Sequence, residues 1–208
     1  MIEYISQHWY VGVILAVLVV LLIFAWYKAI MASKKHNEER EKIIADLERE
    51  KKLRNEFRHI DETIFTEGKD DYRLVIGICA FVQMKIEKAA DMNSAFAELS
   101  QVKKNAYCLG YVFEDSRVKL SEFFRSNGEP LLSCAKTAVD EIIGGEFAEI
   151  FDKMSVMLDD NDETTSVDED KINQWNGEFS ALMEEKSGEI YSEAAAYIRE
   201  NKDEFLAY

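Results

Sequence analysis

The apolar positions of this chain fall into three patterns, and each predicts a different kind of helix. The first is an unbroken run of eighteen residues, Tyr10-Val-Gly-Val-Ile-Leu-Ala-Val-Leu-Val-Val-Leu-Leu-Ile-Phe-Ala-Trp-Tyr27, with no charge inside it. At ~1.5 Å per residue such a helix reaches about 27 Å, close to the ~30 Å hydrocarbon core of a bilayer. Trp9 and Tyr10 stand at one end; Trp26, Tyr27 and Lys28 stand at the other. Amphipathic rings and a flanking cation favour the headgroup level, so these five are the expected membrane-interface residues. A cleaved signal peptide would want a basic start, a shorter apolar core and a small-residue cleavage site. Here the start carries Glu3, and the run ends in Trp26-Tyr27-Lys28. Gly12 and Ala16 make one small-xxx-small pair, a spacing that lets spanning helices approach closely and that is also common in any such span.

The second pattern is polar. From Lys34 to Ile64 there is no Pro or Gly, good helix formers dominate, and opposite charges recur at helical spacing, as in Glu38 with Lys42 and Glu48 with Lys52. A juxtamembrane helical stalk over 28–64 is expected. Phe57, Ile60 and Ile64 step as a heptad seam does, but Glu50 and Arg54 interrupt the repeat below them. A sustained coiled coil needs three or more heptads. The stalk is therefore expected to be solvated in its lower half and to join the domain above from Leu53 on, and self-association through it stays open.

The third pattern is helical amphipathicity. Leu74 to Met84 is apolar all round and too short to span a membrane, so it reads as a buried core helix within a helix of about Asp70 to Met92. The richness of Leu74–Phe81 in Val and Ile also suits a buried strand; the absence of hairpin signals around it favours helix. Asn93 or Ser94 is the expected cap of an amphipathic helix running to Asp115, with Gly110 inside it. Asn127-Gly128 stops the next stretch, and Pro130 opens a helix to about Ile143 that Gly144-Gly145 breaks. Phe147 to Leu158 continues with helical spacing. Asp159 to Asp170 holds seven acidic residues and reads as a solvated linker. Ser166 with Glu169 fits a capping box for a last helix, whose seam is Ile172, Trp175, Phe179 and Leu182.

These patterns give an all-α class: a short tail (1–9), a transmembrane helix (10–27), the stalk (28–64), a helical core domain (65–158), an acidic linker (159–170) and a C-terminal amphipathic helix (171–208). Four to six helices around one core is the economical bundle. The C-terminal seam either packs on that core or forms a detachable helix that docks into a partner's groove, with the linker as tether.

Charge adds orientation. The formal net charge is −15. Lys28 to Ile60 holds ten Lys or Arg against seven Asp or Glu, whereas Asp61 to Tyr208 holds fifteen against thirty-two. Positive flanks stay cytoplasmic, so the N-terminus is expected outside the cell membrane and the acidic domain in the cytoplasm. Basic residues near the bilayer suit anionic lipid. The acidic part would be repelled by phosphate, which argues against nucleic-acid binding.

Candidate chemistry changes little. The histidines are His8, His36 and His59, none within the expected core domain, so Ser–His or Cys–His activation is not expected there. No HExxH, GxxxxGK[ST] or GxSxG motif occurs. Adjacent carboxylates such as Asp140 and Glu141 arise freely in so acidic a chain. Asp159, Asn161, Glu163 and Asp170 outline a calcium loop, but Thr164 stands where the turn needs Gly and Asp170 where a bidentate Glu belongs. Cys79, Cys108 and Cys134 are odd in number and widely spaced, unlike a disulfide framework; they read as small buried hydrophobes, the alternative being a metal site with His59. The expectation is therefore no enzyme, no cofactor and no metal, but a membrane-anchored helical scaffold that recruits a protein partner to the lipid bilayer. The competing reading is a regulator sensing a small ligand or ion beside Cys79 and Cys108.

Overall fold

A computed structural model describes residues 9–66, 70–158 and 167–207; within α1 (below), the side chains at 9–13, 15, 16, 23, 25, 29, 30, 32, 33, 35, 37–39 and 42 lie outside the description. Glu3, His8, the Gly12–Ala16 and Glu38–Lys42 side-chain pairs, most of the acidic linker (159–166) and three of the four calcium-loop residues fall outside it as well. All described elements are helical. They are α1 (Trp9–Glu56), a 3₁₀ turn (Glu62–Phe65), α2 (Asp71–Ile86), α3 (Met92–Ala97), α4 (Gln101–Asp115), α5 (Leu120–Ser126), α6 (Leu131–Ala138), a π turn (Val139–Ile143), α7 (Gly145–Met157), α8 (Glu169–Glu200) and α9 (Lys202–Leu206).

The chain divides into two compact units, Met1–Lys51 and Lys52–Tyr208. In the first, the described side chains of α1 are exposed except Arg49, which is half-buried. In the second, α2 is the central element. Leu74 to Val82 is buried without a break, as an all-round apolar helix must be. Asp70 starts it by accepting a hydrogen bond from the Arg73 amide at 3.1 Å. It packs chiefly on α4 and α8, and α4 packs in turn on α6.

Two glycines set how closely these pieces approach. At Gly77 a Cβ would lie 2.1 Å from Cζ of Phe57, and at Gly110 it would lie 2.2 Å from Cβ of Cys79. The Phe57 ring thus lies on the backbone of α2, and α4 meets α2 with no room for a methyl group. Phe57 follows directly on the end of α1, so the expected heptad seam through Ile60 and Ile64 is not formed. Those residues pack against the core through a turn and the 3₁₀ segment instead.

Other boundaries also differ from the periodicity reading. The helix expected from Asn93 to Asp115 is two helices, and their caps are Asp91 and Ser100. Asp91 accepts from the Asn93 amide at 3.0 Å, and the Ser94 hydroxyl donates to it at 2.5 Å. The helix from Pro130 switches to a π turn at Val139, which ends at Gly144 and Gly145, both with positive φ (63° and 54°) that glycine tolerates. Asp168 caps α8, accepting from the amides of Asp170 and Lys171 at 3.1 and 3.2 Å, and Ser166 of the expected capping box lies outside the described residues. The core is not confined to 65–158. Ile172, Phe179, Leu182, Ile190 and Ile198 of α8 and Phe205 of α9 are part of it.

One polar joint locks α8 to the bundle. The N-terminus of α5 has no side-chain cap of its own. Asn176, buried on α8, supplies one: its Oδ1 accepts from the Ser121 amide at 3.1 Å, and its Nδ2 donates to Ser121 Oγ at 3.0 Å. An orphan helix donor is thereby satisfied from another helix.

This packing sets the expected stability of three variants. Gly110→Ala is expected to lower stability by about 1–3 kcal/mol, because overpacking outweighs the helix-propensity gain. Gly188→Ala, on the exposed face of α8 with open space around it, is expected to raise stability by about 0.5–1 kcal/mol. Chemical denaturation of the two variants checks the opposite signs. Asn176→Leu is expected to cost about 1–3 kcal/mol by leaving the Ser121 amide buried and unpaired; Asn176→Ala with an unchanged midpoint would refute the capping role.

Candidate functional site

Three places in the described chain carry chemistry beyond ordinary core packing. The first is the N-terminal apolar stretch of α1. Ile14, Val17, Leu18, Val19, Val20, Leu21, Leu22 and Phe24 are all exposed, Leu22 by 69%. They fall on several sides of the helix, and each of these described side chains is exposed. Of the expected interface residues, Trp26, Tyr27 and Lys28 are exposed on α1, Trp26 by 72%. The Lys28 ammonium lies 5.2 Å from the centroid of the Phe24 ring, within cation–π range. Trp9 and Tyr10 form the first residues of the helix, and their side chains lie outside the description. Among the described residues no helix is long and apolar enough to cross a membrane. The side chains at positions 10–13, 15, 16, 23 and 25 of the run lie outside the described residues.

The second place is a buried polar cluster centred on Asn105, which is 1% exposed. Its Oδ1 accepts from Gln101 Nε2 at 2.7 Å, and its Nδ2 donates to the Tyr197 hydroxyl at 3.2 Å and to Glu141 at 3.4 Å. The group joins α4, α8 and the π turn. With its polar atoms partnered, it acts as a structural joint. At the C-terminal end of α4, burial holds the Asp115 carboxyl above the usual carboxylate range, while Asn127 donates to it at 2.7 Å and opposes that shift.

The third place is the thiols. Cys79 on α2 donates to the Tyr107 carbonyl at 3.3 Å, and burial pushes its thiol up. Gly110 presses on its Cβ, so α2 and α4 are in direct contact there. The Tyr107 and Tyr111 rings meet beside it, tilted by 54° with centroids 4.9 Å apart. Cys108 is buried, Cys134 is half-buried, and their Sγ atoms lie 2.6 Å apart. Burial raises the Cys108 thiol. The hydrogen bond from Cys108, with help from the Lys104 charge, favours the Cys134 thiolate and lowers its thiol. His59 is exposed just past the end of α1. Among the described residues no group of three or more His, Cys, Asp and Glu side chains is placed to hold a metal ion.

The C-terminal seam is drawn inward. Ile172, Phe179 and Leu182 are buried in the core, and Trp175 is half-buried against it. Of the two readings of that seam, packing on the core is the one the structure realises: three of the four docking candidates have no surface to offer while α8 is seated. Sequence spacing alone missed Asn105, Asn176 and the Cys108–Cys134 pair. Their partners on other elements stand 26 to 92 residues away along the chain, beyond any local pattern. Compared with known protein families, with curated proteins and with solved structures, the chain finds no match.

Proposed function

We propose that the chain is a single-pass membrane protein whose acidic helical domain serves as a cytoplasmic scaffold for a protein partner. The observation that carries this reading is the exposed apolar stretch of α1, continuous with the folded unit through one helix of 48 residues. An apolar surface wrapping a whole helix is unfavourable in water and asks for lipid or protein around it. The length of the run matches a bilayer, and the aromatic pairs at its ends match the two interfaces. The basic excess after Tyr27 supports an N-terminus outside and the larger unit inside.

The scaffold assignment rests on the character of the second unit. Its buried polar groups described above join helices to one another. Its strong negative charge disfavours phosphate-rich partners and suits a basic protein surface. Recruitment then falls to the outer faces of the bundle, since the α8 seam is occupied internally.

Membrane residence is checked by fractionation of the full chain. It is expected to sediment with membranes and to stay there through high-salt and alkaline-carbonate washes, leaving only with detergent. Val17→Arg with Leu21→Arg places two charges mid-run, each costing roughly 2.5–3.5 kcal/mol on insertion, and is expected to abolish that retention. A wild-type chain found soluble and monomeric without detergent would refute the anchor. A reporter fused after Tyr208 that reads as extracytoplasmic would refute the orientation. Cross-linking in intact membranes that recovers no protein partner would refute the scaffold role.

A further inference from the structure

Cys108 and Cys134 are 26 residues apart in sequence, on different helices, with sulfurs 2.6 Å apart. That separation is well inside the ~3.5–4.0 Å of ordinary non-bonded contact between carbon atoms. It is within an ångström of the ~2.05 Å of an S–S bond. The packing of α4 on α6 creates this approach and holds both side chains in it. The two thiols are not equivalent. Cys134 is half-buried, whereas Cys108 is buried. Cys108 donates its proton toward Cys134, which favours charge on the outer sulfur. Lys104, one turn before Cys108 on α4, adds positive charge beside the pair, and its ammonium is held there by the Ala97 carbonyl at 2.8 Å. Cys79 is set apart: it is buried, bonded to the Tyr107 carbonyl, and pressed by Gly110.

We propose that Cys108 and Cys134 form a reversible dithiol–disulfide site that reacts with a small peroxide, Cys134 being the attacking thiol and Cys108 the resolving one. The Cys134 thiolate attacks one peroxide oxygen; an S–O bond forms and the O–O bond breaks. The leaving hydroxide takes a proton to become water, and Cys134 is left as a sulfenic acid. The Cys108 sulfur then attacks the Cys134 sulfur. An S–S bond forms, the S–O bond breaks, and the hydroxyl leaves with the Cys108 proton as a second water. The dithiol loses two electrons and the peroxide gains them. A low-molecular-weight thiol returns the pair to the reduced state by exchange. The bond would fasten α4 to α6, the helix that runs directly into the π turn at Val139. It closes a long loop of the unfolded chain, so the oxidised protein is expected to melt several degrees higher than the reduced one.

The test uses the full chain in detergent, treated with hydrogen peroxide, blocked with a maleimide after denaturation, and mapped by proteolysis. The expected product is one intrachain link between the Cys108 and Cys134 peptides, with Cys79 still alkylated, and its removal by excess thiol reductant. Cys108→Ser is expected to leave Cys134 as a sulfenic acid that dimedone captures. Cys134→Ser is expected to leave Cys108 free. Three alkylated thiols after peroxide, a link to Cys79, or a predominant link between two chains would each overturn the assignment. The wild-type map decides the matter even where a variant fails to fold.

Discussion

The fold depends on enclosing α2. From Leu74 to Val82 no face of that helix is polar, so water must be excluded on every side. Each fully buried large apolar side chain is worth roughly 1.5–3 kcal/mol, and only a surrounding shell realises that gain. The rest of the second unit supplies the shell. α4 presses on α2 at Gly110, the Phe57 ring covers Gly77, and α8 brings Ile190, Ala194 and Ile198 to the same core. The glycines matter because they replace side-chain thickness with backbone contact. At these two positions the backbone of one element lies against a side chain of another.

The same chain carries a second apolar helix segment, Ile14 to Phe24, whose described side chains are exposed. Identical physics acts on both stretches; they differ in what this protein provides around them. The difference of length is consistent with that division. The apolar run Leu74–Met84 has eleven residues, too few for a bilayer and suited to a protein core, whereas the eighteen of Tyr10–Tyr27 suit a bilayer. Under the proposed reading, lipid plays for α1 the part that α4 and α8 play for α2.

How far the sequence spoke depended on the range of the interactions. The buried run in α2, the breaks at Asn127-Gly128 and Gly144-Gly145, and the apolar stripe of α8 were legible, because each is a local pattern of side-chain type. Helix starts were less so. Asp91 and Ser100 cap where Asn93 or Ser94 was equally competent on paper, since several adjacent polar residues satisfy the same amide and packing chooses among them. The end of α1 was misread for a related reason. Phe57 continues a heptad spacing, yet its ring is captured by Gly77, and only the folded chain brings that glycine near. The thiol pair and the Asn105 and Asn176 joints left no local trace at all.

Those long-range joints explain why the C-terminal helix belongs to the domain. A detachable helix would have to uncover Ile172, Phe179 and Leu182 and also strand the Ser121 amide when Asn176 leaves. Its far end is tied as well, by Arg199 to Asp71 at 2.6 Å and by Tyr197 to Asn105 at 3.2 Å. Apolar burial sets the cost of release, and the hydrogen bonds set the register in which α8 returns. The α4–α6 contact carries a joint of another kind: its two sulfurs meet on a helix that runs into a π turn, so the proposed disulfide would act next to a segment that already departs from regular helix.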